Sequence, residues 1–272
     1  MLAKLLKHEF RATGRMVLPA FGIVLVLSVL FNLSVRFLSS SDSRPLMILN
    51  GVTIALFSVG LIVLTVMPAV LMIYRFYQNL LKDEGYLMHT LPVSVHGLVW
   101  SKILVSLVWF FVTGLLIALI GFISFLFLTE TGFGDFFRSM RLWSNIQAAL
   151  RTAGLDLSDL WIIVAQLLIL LLLSGIAGCL MCYASLSLGH MFTRAKIPWS
   201  IAFYLGFSVL FSLLSSSFAD RILLRALDAD NLSALLTLLR QKTLLSMIPS
   251  VVQCVVLYLA SVFGLKRGLN LA

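Results

Sequence analysis

Apolar residues in this chain come in blocks rather than in alternation. Six runs, at roughly 17–38, 47–74, 99–128, 160–184, 198–218 and 246–264, are nearly free of charge, and the charged residues collect between them. A helix of about 20 apolar residues crosses the roughly 30 Å hydrocarbon core of a bilayer. Strand-type alternation is missing, which argues against a β-barrel. The pattern therefore predicts an all-α membrane protein with six transmembrane helices. Pro19, Pro198 and Pro249 fall in the first turns of their runs, where a missing N–H is harmless. Pro68 lies inside the second run and predicts a kink.

Three further segments have helical periodicity without the length or purity to span. In LAKLLKHEFRATGR, residues 2–15, Leu2, Leu5, Leu6 and Phe10 share one face while Lys4, Lys7, His8, Arg11 and Arg15 lie elsewhere. That is the pattern of a helix lying in the headgroup plane. It predicts an interfacial amphipathic helix over 1–16 ahead of a six-span domain over 17–272. The segment is long and amphipathic, with no small-x-small cleavage site after it, so it reads as retained rather than as a signal peptide. The other two segments lie in loops. Phe133, Phe136, Phe137, Met140, Trp143 and Leu150 recur at helical spacing, as do Leu232, Leu235, Leu236 and Leu239, with Asp230 or Asn231 placed to cap the second segment. These helices either rest on the outer leaflet or dip inward and close the outer mouth of a pathway.

Composition agrees with the pattern. Of 272 residues, 61% are hydrophobic and 11% charged, against about 25% charged in soluble domains. The formal net charge of +9 would suggest nucleic acid in a soluble protein. Here the cations flank spans and meet anionic headgroups, so the expected partner is membrane lipid and no nucleic acid is expected. Six spans put both termini on one side together with loops 75–98 and 185–197. That side holds eleven of the 20 Lys and Arg residues, six of the seven lysines among them, so by the positive-inside rule it is expected to be the cytoplasmic face of the cell (plasma) membrane. Cys179, Cys182 and Cys254 all sit inside apolar runs and read as packing residues, not as a disulfide or redox set. Ser174 and Gly178 have the small-xxx-small spacing of close helix contact.

Several chemistries are missing. All eleven acidic residues lie in the N-terminal segment or the loops, whereas ion-coupled transporters place ionisable groups near the midplane. No GxxxxGK[ST] is present to cradle a nucleotide. His8, His89, His96 and His190 match no metal spacing, and neither HExxH nor Gly-x-Ser-x-Gly occurs. The chain reads as no enzyme, with no catalytic or metal residue and no cofactor of its own. Among polar span residues, Asn50, Gln166 and Gln253 are candidates to line a substrate path, although such residues more often join helices to one another.

The remaining feature is the loop 75–98. Tyr77, Leu80, Leu81, Glu84, Leu87 and Met88 share one helical stripe, and a carboxylate there needs a cation or water. Arg11, Arg15 and Arg75 are the candidate ion-pair partners of Glu84. Gly85 weakens the helix, Pro92 turns Leu91 away from helical geometry, and Ser94 is placed to cap the third span. The expected shape is helix, bend, short helix, sharp corner, span, so a force on the bend would reach two spans at once. These residues carry a resemblance. Glu84-Gly85, a short apolar stretch, Leu91-Pro92-Val93-Ser94 and then Lys102 resemble the first cytoplasmic loop of permease subunits of type-2 ATP-binding-cassette exporters, and the six-span layout is similar to theirs. Met88-His89-Thr90 and His96-Gly97 depart from that family's commonest residues. The resemblance implies that the loop holds a coupling helix docking on a separate cassette ATPase, with Glu84, Gly85, Leu87 and Leu91 at the docking segment and Pro92 and Ser94 at the corner. It implies ATP and Mg on the partner subunit, and a second permease subunit making a homo- or heterodimer. The alternative reading is a non-transporting membrane sensor, or an immunity protein against a membrane-active peptide.

Overall fold

The computed structural model describes residues 2–38, 43–81, 94–129, 144, 147–148, 157–192, 195–227 and 232–267. They form six long helices: α1 (Leu2–Leu38), α2 (Arg44–Phe76), α3 (Val95–Thr129), α4 (Leu157–Gly189), α5 (Lys196–Leu227) and α6 (Leu232–Arg267). All six are long and apolar enough to cross a membrane, and no strand occurs among the described residues. The protein is a multi-pass helical membrane protein, and every predicted span falls within one of these helices.

Two helices run further than the hydrophobic pattern predicts. The amphipathic segment 1–16 continues into the first span as a single helix, α1. The expected loop helix at 231–245 likewise continues into the sixth span as α6. Its candidate caps, Asp230 and Asn231, lie outside the described residues, as does almost all of the segment 133–150. Pro19 and Pro249 are thus interior to helices instead of starting them. A proline removes one backbone hydrogen bond, but Ser, Thr and neighbouring helices re-satisfy freed groups in a membrane, so the helix need not end. Pro198 does sit in the first turn of α5, and Pro68 lies inside α2.

The chain divides into two compact units, Met1–Tyr74 with Leu104–Arg141, and Arg75–Ile103 with Leu142–Ala272. The divisions fall inside α2 and α3, which are continuous helices. In the first unit the core is Val17, Phe21 and Val24 of α1, Phe57 and Leu64 of α2, and Ile120 of α3. Phe31 stacks on Phe57 with ring centroids 4.5 Å apart. Gly60 lets Leu27 come close, since an added Cβ would sit 3.0 Å from Leu27 Cδ1. At the N-terminal end of α1, the Trp109 indole N–H donates to Thr13 Oγ1 at 2.8 Å, and Thr13 Oγ1–H donates to the Glu9 carbonyl at 2.8 Å. Since one such bond is worth about 1 kcal/mol, Thr13→Val should lower unfolding stability in detergent by that amount. A double-mutant cycle with Trp109→Phe should assign most of the loss to the pair.

In the second unit α4 packs against both α5 and α6. The helices touch most closely where small residues meet. A Cβ on Gly189 would lie 2.6 Å from the Ser200 backbone N and 2.7 Å from its Cα, and one on Gly264 would lie 2.9 Å from the Ser187 carbonyl carbon. At Gly178 no described part of the chain comes close, since a Cβ there would meet nothing within 4 Å. Away from these seams the helices expose apolar side chains such as Leu167, Leu168, Leu171 and Leu172 of α4, as a lipid-facing surface does. Span hydroxyls mostly bond back to their own helix, as Ser28 does to the Leu25 carbonyl and Thr65 to the Leu61 carbonyl, each at 2.8 Å. In hydrocarbon no water is present to accept them.

Candidate functional site

The two feet of the loop 75–98 are built from the ends of α2 and α3. After Phe76 the helix widens into a π-helical turn, Tyr77–Leu81, a form that needs one more residue per hydrogen-bonded turn and often marks functional positions. Phe76 is fully buried and stacks on the buried ring of Tyr183 in α4, with centroids 4.1 Å apart and planes 9° from parallel. Leu80 and Leu81 are buried beside it. The Tyr77 ring meets His190 edge-on at 5.4 Å. His190 lies in the turn between α4 and α5, where Ala195 takes a left-handed conformation with φ 58°. Burial and the neighbouring Lys196 charge hold the His190 imidazole below its usual range, while its bond to the Leu81 backbone acts in the opposite sense. Through its contacts with Tyr77 and Leu81 the ring ties the π-helical turn to the α4–α5 turn.

The second foot starts at Ser94. Its Oγ accepts from the Gly97 N–H at 3.3 Å and its carbonyl accepts from the Leu98 N–H at 3.2 Å, which makes it the N-cap of α3 that the sequence predicts. Two residues on, His96 Nδ1 and the Tyr258 hydroxyl of α6 are 2.6 Å apart. Leu98, Val99 and Ile103 are fully buried, and Lys102 is buried beside them in sequence. Both feet thus belong to the second unit, and each is fastened by an aromatic or histidine contact to α4, α6 or the turn at 190–195.

Glu84, Gly85, Leu87, Leu91 and Pro92 lie outside the described residues, so their geometry and the Glu84 ion pair do too. Of the candidate cations, Arg11 and Arg15 are exposed on α1 and Arg75 is half-buried at the end of α2. The three path candidates are each engaged by another helix. Asn50 Oδ1 of α2 accepts from Ser34 of α1 at 2.8 Å. Gln166 of α4, 8% exposed, accepts from Thr243 of α6 at 2.8 Å. Gln253 of α6 reaches Met181 Sδ at 3.9 Å. In this state they join helices. Among the described residues no group of three His, Cys, Asp or Glu side chains is placed to hold a metal.

Sequence reading missed two features. Because α1 begins at Leu2, the carboxylate-bearing Glu9 belongs to a membrane-length helix, and it is only 7% exposed. His190 gave no signal beyond its position just past an apolar run; its role comes from Tyr77 and Leu81, which are remote in sequence. Comparison with family models, with curated proteins and with solved structures gives no match.

Proposed function

We propose that this chain is the membrane subunit of an ATP-driven exporter, coupled to a separate cassette ATPase through loop 75–98. Two such subunits, identical or related, enclose the path in the plasma membrane, with both termini and the loop in the cytoplasm. ATP and Mg bind the partner; closure of the ATPase pair thrusts on the loop, and the spans rock between inward and outward access. The observation that carries the reading is the segment Glu84-Gly85 to Leu91-Pro92-Val93-Ser94, set between two membrane helices. The buried, aromatic-clamped feet at Phe76–Leu81 and Ser94–Ile103 support it, because thrust is transmitted only if the loop's ends do not yield. Two absences in the sequence also favour an external motor. From Val17 onward no Asp or Glu falls within the apolar stretches 17–38, 44–81, 95–127, 160–189, 196–216 and 238–266 of the six helices, and the chain has no phosphate-binding loop.

Glu84→Gln tests the coupling role. With the ATPase partner reconstituted beside it, the variant should bind the partner yet lose most of the stimulation of ATP hydrolysis, on the order of tenfold, as loss of a charge-assisted contact of about 1.5–3 kcal/mol implies. Unchanged stimulation would remove Glu84 from the coupling machinery.

A further inference from the structure

The second unit carries an open groove of about 540 Å3 between the C-terminal ends of α4 and α6, within the roughly 300–1,000 Å3 typical of ligand clefts. Its wall is Leu188 of α4 with Leu259, Ala260, Val262 and Phe263 of α6, and among the described residues its charged lining residue is Lys266. Leu259 and Phe263 are well exposed. The small Ala260 side chain leaves room between its larger neighbours, and the Gly264–Ser187 approach holds the two helices together at that end.

Depth along the helix orders these groups. Lys266 lies one residue before the C-terminal end of α6, and Gly189, next to Leu188, ends α4. The two ends therefore sit at one membrane boundary. From Lys266 back to Leu259 a helix rising 1.5 Å per residue covers about 10 Å, so the groove runs from the headgroup level into the outer part of the hydrocarbon. Lys266 is exposed and has no ion-pair partner among the described residues. Lys196, at the start of α5, adds a second cation at the same end of the unit. An apolar trough topped by an exposed ammonium fits an acyl chain that ends in an anionic phosphate.

We infer that this groove is a binding site for an anionic phospholipid, its acyl chain lying along Leu259, Val262 and Phe263 and its phosphodiester meeting Lys266. A zwitterionic lipid fills the same trough, but its own ammonium competes with Lys266 for the phosphate. The site therefore selects by headgroup charge. The inference stands apart from what powers the protein.

The test is electron spin resonance of the full chain reconstituted in phosphatidylcholine, with spin-labelled phosphatidylglycerol or phosphatidylcholine as probe. The motionally restricted fraction should favour phosphatidylglycerol on the order of fivefold, the effect of one basic residue near a surface phosphate. The preference should shrink as salt is raised. Lys266→Gln should remove it and Lys4→Gln, which makes the same change of net charge, should not. Ala260→Phe, which fills the trough, should lower restricted binding of both probes. Equal association of the two probes with the unaltered chain overturns the inference without recourse to any variant. So does a preference that survives Lys266→Gln.

Discussion

Gly189→Ala should destabilise the protein strongly. The new Cβ would fall 2.6 Å from the Ser200 backbone nitrogen and 2.7 Å from its Cα. These are backbone atoms, so α5 must shift as a unit; no side chain can rotate away. Overpacking of this kind costs about 1–3 kcal/mol and occasionally more, and the upper end applies because the obstruction is main chain. Taking about 3 kcal/mol and roughly 2–4 °C per kcal/mol for a chain of this size, the thermal midpoint in detergent should fall by about 6–12 °C. Gly178→Ala is the matched control on the same helix. Its Cβ meets nothing within 4 Å, and alanine is the better helix former by about 1 kcal/mol, so its midpoint should stay level or rise. If both variants behave alike, the α4–α5 contact at Gly189 is wrong.

The second large effect belongs to the loop. Replacing Leu87 and Leu91 together with aspartate should abolish retention of the cassette ATPase. If these side chains anchor the docking surface, each is worth about 2 kcal/mol or more on truncation, and a buried charge in its place is worse. A loss of at least about 100-fold in partner affinity is expected, read as the amount of ATPase retained on the immobilised membrane subunit. The thermal midpoint of the variant alone is the control, since a docking residue weakens the complex while leaving the isolated subunit folded.

Much of the fold was legible because hydrophobic length is a one-dimensional signal. Each apolar run became a helix in the expected order, and Ser94 caps α3 as its position after Pro92 implied. Helix ends were less legible where no breaker intervenes. Between Phe10 and Val17 charge and the single Gly14 mark a boundary, and between Leu239 and Leu245 charged and polar residues do; an α-helix continues through charge as readily as through leucine and tolerates one glycine. The prolines follow a related rule: the apolar pattern places Pro19 and Pro249 at helix starts, yet both are carried inside α1 and α6. Close packing was not legible at all from spacing. Ser174 and Gly178 have the motif, whereas within the chain Gly189 and Gly264 make close approaches among the described residues, since the face a neighbour covers depends on the crossing of helices and not on the sequence of one. Asn50, Gln166 and Gln253 illustrate the same limit: their polarity was visible, but Ser34, Thr243 and Met181 as partners were not. At the candidate site the loop residues were readable from turn chemistry and charge, while the clamps on its feet, Phe76 on Tyr183, Tyr77 on His190 and His96 beside Tyr258, arise from contacts between distant segments.

The most direct measurement is purification of the tagged, intact chain from its own cell membranes in mild detergent, followed by identification and quantitation of what remains bound. A cassette ATPase should be retained at one copy per membrane subunit, and the purified assembly should hydrolyse ATP. A chain that emerges folded, with its thermal midpoint intact, yet carries no nucleotide-hydrolysing partner and gains none when candidates are added back, would mean that loop 75–98 receives no thrust and that the exporter reading is wrong.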